Sequence, residues 1–264
     1  MNTRERILAR LNELEVAEGI KIVYACESGS RAWGFPSANS DYDIRFLYVH
    51  PVEWYLSIEE KRDVIECQAE GNLDINGWDL RKALGLFRRS NPPLFEWLNS
   101  PIVYLEKGCT AAQMRELMPV YYSPAACIHH YQHMTRGNYR EYLQGDVVWI
   151  KKYFYVLRPI LAIKWIEKGF GVAPTAFGTL LERLVTDPAL YTEINTLIEQ
   201  KRNGAELDRG PRIPLISEFI ERELSRIETE GIKYKSHRAS SNELNELFRN
   251  TLAELWQSPL LVIH

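Results

Sequence analysis

The sequence has few cysteines, and no two of them form a close pair. The four cysteines among the 264 residues stand at positions 26, 67, 109 and 127. Without a C-x-x-C pair, the pattern argues against a zinc ribbon, a thioredoxin-like redox motif and a dense disulfide scaffold. We therefore expect reduced and mostly buried thiols.

The sequence also lacks a long apolar run and a strong net charge. No stretch reaches the roughly 18 apolar residues that span a bilayer, and the charged, helical first 20 residues are unlike a signal peptide. We therefore expect a cytoplasmic protein without a membrane partner. The net charge is only −3, so local cations and metal ions, rather than an overall positive field, must hold any anionic substrate.

The apolar pattern changes near residue 105. Before it, the pattern predicts helices over 3–17, 80–90 and 94–98 and strands over 20–26, 42–49, 63–68, 73–78 and 102–105. After it, the pattern predicts helices over 109–118, 124–143, 146–168, 176–200, 214–229 and 241–256, with an exposed loop over 202–214. The sequence therefore predicts a mixed α and β domain over residues 1–108 and an all-helical domain over residues 109–264.

The most informative pattern is a Gly-Ser turn followed by two closely spaced carboxylates. Gly29 and Ser30 precede Asp41 and Asp43, with ten residues between the two pairs. Glycine lets a phosphate approach the backbone, and serine offers a hydroxyl and an amide donor. Strand side chains alternate, so Asp41 and Asp43 are predicted to share one face, where hard oxygens suit a divalent cation. Taken separately, an ordinary turn and a solvated strand edge remain the alternatives.

A third acidic residue strengthens this interpretation. Asp74 lies between Leu73 and Ile75 in a predicted strand, where a carboxylate is costly unless a metal ion or a partner neutralises it. Asp79 is the rival for this third position, but it directly precedes a helical pattern and is predicted to cap that helix. If the two strands are neighbours, three carboxylates converge.

The three elements together resemble the DNA polymerase β-like nucleotidyltransferase superfamily. Its hallmark is Gly-Ser or Gly-Gly, a spacer, Asp-apolar-Asp-apolar and a third Asp. Within that superfamily, several stretches are similar to a bacterial and phage branch described as RNA-repair-pathway enzymes, namely ESGSRAWGF, SDYDIRFLYV, LDINGWDLRKAL, SNPPLFEWL and KKYFYVLRP. The resemblance covers roughly residues 20–165. It implies an α+β fold, with a mixed-sheet nucleotidyltransferase domain and a helical domain that closes the nucleotide cleft.

The resemblance also implies roles for the site residues. Asp41 and Asp43 would ligate Mg²⁺ or Mn²⁺, and Asp74 would complete the metal site and help to activate the attacking hydroxyl. The Gly29 turn and Ser30 would hold the β and γ phosphates of an NTP. Arg31 and Arg45 are interpreted either as phosphate contacts or as ion-pair partners of the carboxylates.

A cationic stretch in the helical half supplies further candidates. Lys151, Tyr155 and Arg158 fall at i, i+4 and i+7, so a helix would place them on one face. By resemblance, Lys151 or Lys152 and Arg158 would contact the triphosphate. The structural alternative is that these are cations whose stems cover a half-buried core helix.

Two other clusters favour structural roles. His129 and His133 lie one helical turn apart, but no H-E-x-x-H pattern accompanies them, so we do not predict a metal site there. Trp33 and Phe35 follow the Gly-Ser turn. They are interpreted either as base-stacking residues or, as is more usual, as packing aromatics.

We therefore expect a metal-dependent enzyme that moves a nucleoside monophosphate from an NTP to a hydroxyl acceptor and releases pyrophosphate. The branch resemblance implies an RNA 3′ end as the acceptor. One alternative is the addition of AMP to a protein hydroxyl, and another is a catalytically silent protein that binds nucleotides or nucleic acid. The sequence leaves open the NTP, the need for a template and the oligomeric state.

Overall fold

The computed structural model describes residues 2–67, 71–204, 207–234 and 239–257. The strands are β1 (Lys21–Glu27), β2 (Tyr42–Val49), β3 (Val64–Glu66), β4 (Leu73–Asp79), β5 (Val103–Glu106), β6 (Val147–Trp149) and β7 (Arg209–Pro211). The helices of the first half are α1 (Thr3–Glu18), α2 (Gly29–Trp33), α3 (Val52–Tyr55), α4 (Leu80–Phe87) and α5 (Pro92–Leu98). The helices that follow are α6 (Thr110–Tyr121), α7 (Pro124–Tyr142), α8 (Lys152–Glu167), α9 (Phe177–Leu184), α10 (Pro188–Arg202), α11 (Pro214–Glu230) and α12 (Asn242–Trp256).

A five-stranded sheet forms the core of the first half, in the order β3-β4-β2-β1-β5. β2 and β4 are parallel, and the other neighbouring strands are antiparallel, so the predicted mixed sheet is confirmed. Helix α1 packs against β1 and β5, and α4 packs against β2 and β4. The buried apolar cluster of this layer comprises Ile7, Leu11, Leu14, Ile20, Ile22, Ala25, Ile44, Phe46, Tyr48, Leu73, Ile75 and Tyr104.

The central strand β2 changes character along its length. Its last four residues, 46–49, are all buried, because neighbouring strands and helices cover them. Its first residues, Tyr42 and Asp43, and the inner residue Arg45 are only partly buried. The start of β2 therefore presents polar side chains at an accessible end of the sheet.

The chain forms two compact units. The first comprises residues 1–32, 41–122 and 238–264, and the second comprises residues 33–40 and 123–237. This division differs from the predicted boundary at residue 108, because α6 and α12 belong to the first unit. The hydroxyls of Thr110 and Thr251 bond to each other at 2.8 Å inside it, and the Tyr121 hydroxyl donates to the Ser240 carbonyl at 2.7 Å. Contacts between residues so distant in sequence leave no local signal.

The second half is helical, as predicted, with one exception. The predicted helix over 146–168 is wrong at its start, because Val147–Trp149 forms β6 and α8 begins only at Lys152. β6 pairs with β7, which lies in the segment 202–214 that the sequence indicated as a loop; residues 205 and 206 of that segment lie outside the described residues. A β-branched pair followed by tryptophan favours a strand, and the helical periodicity downstream concealed it.

A proline and an aspartate divide another predicted helix. The segment 176–200 forms α9 and α10 rather than one helix. The Asp187 carboxylate accepts from the amides of Ala189 and Leu190, and Pro188 occupies the first turn of α10. A capping residue followed by proline begins a new helix, which the apolar periodicity alone did not reveal.

Smaller differences complete the comparison with the sequence. Helix α3 lies in a segment for which no element was predicted, and residue 68 of the predicted strand 63–68 lies outside the described residues. The four cysteines are free as expected, but only Cys26 and Cys127 are buried. Within the described ranges, no helix is both long and apolar enough to cross a membrane.

Candidate functional site

The Gly-Ser turn is attached directly to the strand that carries the acidic pair. The Ser28 amide donates to the Asp43 carbonyl at 2.8 Å, immediately before α2 begins. Gly29 has a φ of +57°, and a Cβ atom at this position would overlap Oδ2 of Asp43. Glycine is therefore required twice here, for its backbone conformation and for the close approach of a carboxylate.

The parallel pairing of β2 with β4 brings two acidic residues side by side. Asp43 lies directly opposite Asp74 in the register of the two strands. Their side chains are 27% and 50% exposed, respectively, so both carboxylates remain accessible. From the sequence, the convergence of these residues depended on the two strands being neighbours. The sheet order shows that β2 and β4 are neighbours.

Arg45 joins these two carboxylates. Its Nη2 atom lies 2.8 Å from Oδ2 of Asp74 and 3.3 Å from Oδ1 of Asp43. Its Nη1 atom donates to the carbonyls of Ile44 and Asp74 at 3.0 and 3.1 Å. Arg45 was interpreted either as a phosphate contact or as an ion-pair partner of the carboxylates. The structure shows the ion pair, in which one cation is shared between two acids.

The other two predicted carboxylates act electrostatically on Asp43. Burial raises the pKa of Asp43, the Arg45 guanidinium opposes that rise, and the charges of Asp74 and Asp41 add to it. Asp41 itself is exposed and lies just before β2. Because like charges repel one another, a bound cation would stabilise such a group of carboxylates.

Arg31 is held at the entrance to β2. Its Nε atom donates to the Asp41 carbonyl at 3.1 Å, and its guanidinium lies 3.6 Å from the centroid of the Tyr42 ring. This arrangement fixes the backbone next to Asp41. Ser30 lies in the first turn of α2 and is half-buried.

A buried glutamate that the sequence analysis missed binds the backbone amide of Asp43. Glu27 is fully buried at the end of β1, and its Oε1 atom accepts from the Asp43 amide at 2.7 Å. Its Oε2 atom accepts from the Tyr104 hydroxyl. Burial raises the pKa of Glu27, and these two hydrogen bonds oppose the rise. An acidic residue directly after a buried apolar strand was the signal that could have revealed it.

Asp79 has the capping role predicted for it. It is fully buried, and its Oδ1 atom accepts from the Arg81 amide at 2.8 Å at the start of α4. Its Oδ2 atom accepts from the Tyr55 hydroxyl at 2.6 Å. With both oxygens bonded in the interior, Asp79 is committed to structure, whereas Asp74 is half-exposed beside Asp43.

The cationic candidates of the second unit do not share one exposed face. Lys151 is exposed and directly precedes α8, and Lys152 begins that helix. Arg158 is only 1% exposed, and its Nη2 atom donates to the Pro174 carbonyl at 3.3 Å. Because Arg158 is buried, only Lys151 and Tyr155 of the face predicted from i, i+4 and i+7 spacing are exposed to solvent.

The aromatic residues after the Gly-Ser turn pack inside the second unit. Phe35 is 2% exposed, and its ring centroid lies 4.6 Å from that of Phe154 and 5.5 Å from that of Phe177. Trp33 contacts Phe35 and Tyr155. Phe35 is therefore a packing residue and not a base-stacking residue.

The histidines of α7 do not form a metal site with neighbouring carboxylates within the described residues. His129 and His133 are exposed on α7. Over the described part of the chain, no group of three or more His, Cys, Asp or Glu residues is arranged around a common metal position. At the start of β2 the oxygen donors have the hard chemistry that Mg²⁺ prefers, and Arg45 supplies the positive charge between Asp43 and Asp74.

Comparison with known proteins gives a family match over nearly the whole chain. The family described as "RlaP: RNA repair pathway DNA polymerase beta family" matches residues 3–250. The curated protein named "Uncharacterized protein YcgL" from Bacillus subtilis (strain 168) is 52% identical over 255 residues, which cover 96% of this chain and 98% of that protein. Among solved structures, a nucleotidyltransferase-like protein from Exiguobacterium sibiricum 255-15 aligns over 94% of this chain and 80% of its own, with 12% identity and a TM-score of 0.34.

Proposed function

The chain belongs to the RNA repair pathway DNA polymerase beta family and is a polymerase β-like nucleotidyltransferase, and we propose that it extends or repairs RNA ends. In the proposed reaction, the 3′ hydroxyl oxygen of RNA attacks the α phosphorus of an NTP. The bond between the α phosphorus and the oxygen leading to the β phosphate breaks, and pyrophosphate leaves. The proton of the attacking hydroxyl passes to a carboxylate. We propose a cytoplasmic location for this reaction, where NTPs and RNA are both available.

The observation that carries this proposal is the register of Asp43 with Asp74 across two parallel strands, two residues after Asp41. Asp41 and Asp74 both raise the pKa of Asp43, because their negative charges disfavour a third one beside them. A bound divalent ion would relieve this repulsion, and it would supply positive charge to the attacking and leaving oxygens of a phosphoryl transfer. Asp41 and Asp43, with Asp74 completing the site, would hold Mg²⁺ or Mn²⁺.

The remaining residues have complementary proposed roles. Asp74 keeps half of its side chain exposed, so it can accept the proton of the acceptor hydroxyl. The backbone at Gly29 and the amide and hydroxyl of Ser30 would bind the β and γ phosphates, with Arg31 as a neighbouring cation. In the second unit, Lys151 and Lys152 would neutralise phosphate charge.

Arg158 has a different proposed role from the two lysines. Its guanidinium lies 5.2 Å from the centroid of the Trp33 ring, and Nη2 donates to a carbonyl of the segment after α8. We therefore assign it to positioning the segment that contains Pro174 and Thr175, and not to direct contact with the triphosphate.

The test is a transfer assay with each α-³²P-labelled NTP, Mg²⁺ or Mn²⁺, and either RNA with a free 3′ hydroxyl or the same RNA with a blocked 3′ end. Cell protein serves as a second acceptor. We expect label on the unblocked RNA only, and its loss in Asp41→Ala and Asp43→Ala. Label on protein would replace RNA with a protein hydroxyl as the acceptor, and the absence of label from every fraction would contradict the proposed reaction.

Asp63→Asn is the matched control for this assay. Asp63 lies in the same unit, is 44% exposed and forms an ion pair with Lys82 at 2.8 Å. Removing a charge from an exposed pair costs at most about 1 kcal/mol of stability. The control should therefore transfer label like the wild type.

A further inference from the structure

The second unit carries a surface on which cations and aromatic rings alternate. It lies on the small β6-β7 sheet, at the end of α7 and at the start of α8. We define this cationic aromatic surface by its six residues, which are Tyr142, Trp149, Lys151, Lys152, Tyr155 and Arg209.

Trp149 is the centre of the strand side of this surface. Arg209 lies directly opposite it in the register of β6 and β7, and the Arg209 guanidinium is 5.4 Å from the centroid of the Trp149 ring. The Lys151 ammonium is 5.7 Å from the same centroid. The two cations are exposed and Trp149 is partly exposed, so a ligand can reach both the charge and the ring.

Lys152 has the same arrangement on the helix side. Its ammonium lies 4.0 Å from the centroid of the Tyr142 ring and 4.8 Å from that of the Tyr155 ring. Tyr155 is 42% exposed, which is unusual for an aromatic side chain in an otherwise buried helix. Cations placed against rings are held in position without losing their charge.

Over the described ranges, none of the three cations of this surface forms an ion pair with a carboxylate. Glu141, Asp146 and Asp208 are nearby in sequence, and the Glu141 carboxylate bonds to the Tyr142 side chain. Four other arginines of the same unit are paired, namely Arg136 with Glu228, Arg202 with Glu199, Arg212 with Glu221 and Arg226 with Glu167, whereas Arg183 and Arg222 lie against the Phe170 and Phe219 rings. The surface therefore groups three cations that form no ion pair over the described residues, on a chain whose net charge is −3.

We propose that the cationic aromatic surface binds single-stranded RNA, the form in which the acceptor of the proposed reaction presents its end. Rings that are at least partly exposed, beside cations without an ion pair over the described residues, match the two needs of such a strand, because bases stack on aromatic faces while phosphates bind cations. Paired bases of a duplex cannot reach these rings, so the surface prefers a single strand. This inference rests on the proposed function, which assigns Lys151 and Lys152 to the triphosphate, and it extends the role of both lysines to the phosphates of the RNA strand.

The test is fluorescence anisotropy with a 12-nucleotide single-stranded RNA and a duplex of the same length, both carrying 5′ fluorescein. It uses the full chain in EDTA without NTP, so it measures RNA binding independently of catalysis. We expect Trp149→Ala to weaken binding of the single strand roughly tenfold, since each stacked base contributes about that much. Trp149→Phe keeps a ring and should retain most of the affinity.

Arg209→Gln tests the charge, and Arg222→Gln is its matched control. Arg222 is also exposed, and its guanidinium lies 5.5 Å from the centroid of the Phe219 ring, but that ring is only 5% exposed and offers no stacking face. We expect Arg209→Gln to weaken binding several-fold and to reduce the slope of log affinity against log salt by about one. Arg222→Gln should bind like the wild type.

Wild-type affinity in both Trp149→Ala and Arg209→Gln would overturn the inference, as would equal binding of single strand and duplex or no RNA binding at all. Circular dichroism of each variant shows whether a loss reflects misfolding, and Trp149→Phe distinguishes a lost ring from a lost fold. If the chain binds single strands through this surface but transfers no nucleotide, the proposed reaction fails and the surface stands. If it labels RNA while both variants bind normally, the surface alone fails.

Discussion

The start of β2 in the first unit carries an excess of acidic side chains, whereas the β6-β7 sheet in the second unit carries basic side chains against an aromatic ring. At the start of β2, acidic residues outnumber their one bridging cation, Arg45, which pairs with both Asp43 and Asp74. At the β6-β7 sheet, Lys151 and Arg209 lie against the Trp149 ring, and neither forms an ion pair in the part of the chain that the structure describes. The first arrangement attracts cations, and the second attracts anions.

This difference shows why ion pairs alone do not identify a site. Most surface pairs of the chain, such as Arg202 with Glu199, match one cation to one acid and contribute little. In both regions the strand register holds together more charges of one sign than of the other. The excess charge can then be neutralised by a ligand of the opposite sign. The following substitutions test that comparison, beginning with the largest expected effect.

Asp43→Asn should produce the largest effect. It removes a charge from the centre of the acidic group while preserving the size of the side chain. Because the carboxylate would be a direct ligand of the metal ion, we expect kcat to fall by roughly 10³-fold or more. Steady-state transfer assays measure this loss, and Asp63→Asn, the control on an exposed pair, should keep full activity. An unchanged kcat in Asp43→Asn would remove the acidic centre from catalysis.

Gly29→Ala should be the next most damaging substitution. The added methyl group would displace the Asp43 carboxylate, and a φ of +57° strains any residue with a side chain. We expect kcat to fall about 100-fold, with a loss of roughly 1–3 kcal/mol in the free energy of unfolding. Gly137→Ala, in α7, is the control, since a Cβ there meets nothing within 4 Å. Normal activity in Gly29→Ala would show that Asp43 does not need its present position.

Glu27 supports the acidic region from inside the sheet. Glu27→Ala leaves the buried amide of Asp43 and the buried hydroxyl of Tyr104 without their acceptor. Each unsatisfied group costs roughly 1–3 kcal/mol, which urea denaturation would measure. Glu27→Gln keeps an oxygen for the Asp43 amide, so its loss of stability should be smaller and its kcat closer to that of the wild type. Equal effects of the two substitutions would rule out the positioning role.

The pH dependence of stability separates Glu27 from its amide variant. Burial raises the pKa of Glu27, so the folded state favours the protonated form more than the unfolded state does. The stability of the wild type relative to Glu27→Gln should therefore be greatest below the ordinary carboxyl pKa of about 4.3 and decline as the pH rises through the elevated folded value. Urea denaturation of both proteins between pH 4 and pH 7.5 measures the difference. The opposite slope would mean that hydrogen bonding outweighs burial.

Lys151→Gln should have the smallest effect of this series. Lys151 is exposed and forms no ion pair over the described residues, so its removal leaves the fold unchanged. We expect KM for the NTP to rise a few-fold with kcat nearly constant, because one solvated charge contributes on the order of 1 kcal/mol to phosphate binding. Lys168→Gln, in the same unit and also exposed, is the control. An unchanged KM would leave Lys151 to the RNA surface alone.

Several parts of the fold and the site could be predicted because their signals are local. The turn at Gly29 and the cap at Asp79 each depend on a few adjacent residues. The sequence also indicated that Asp74 belongs with them, because a carboxylate between apolar strand residues needs a partner. The sheet order then placed it opposite Asp43.

The rest depended on contacts between distant segments. The shared ion pair of Arg45 requires β2 and β4 to be neighbours, and the role of Glu27 requires the ends of β1, β2 and β5 to meet. The pairing of Trp149 with Arg209 links residues 60 positions apart through a strand that helical periodicity had concealed. Burial of Arg158 was equally invisible, since its spacing alone placed it on an exposed face.

Electron paramagnetic resonance of Mn²⁺ shows whether the carboxylates at the start of β2 hold the metal ion. The titration contains α,β-methylene ATP, an analogue whose α–β bond cannot be cleaved. We expect saturable, nucleotide-dependent Mn²⁺ binding by the wild type and by Asp63→Asn, and its loss in Asp41→Asn/Asp43→Asn. Equal Mn²⁺ affinity in the double variant and the wild type would mean that these carboxylates are not the metal ligands.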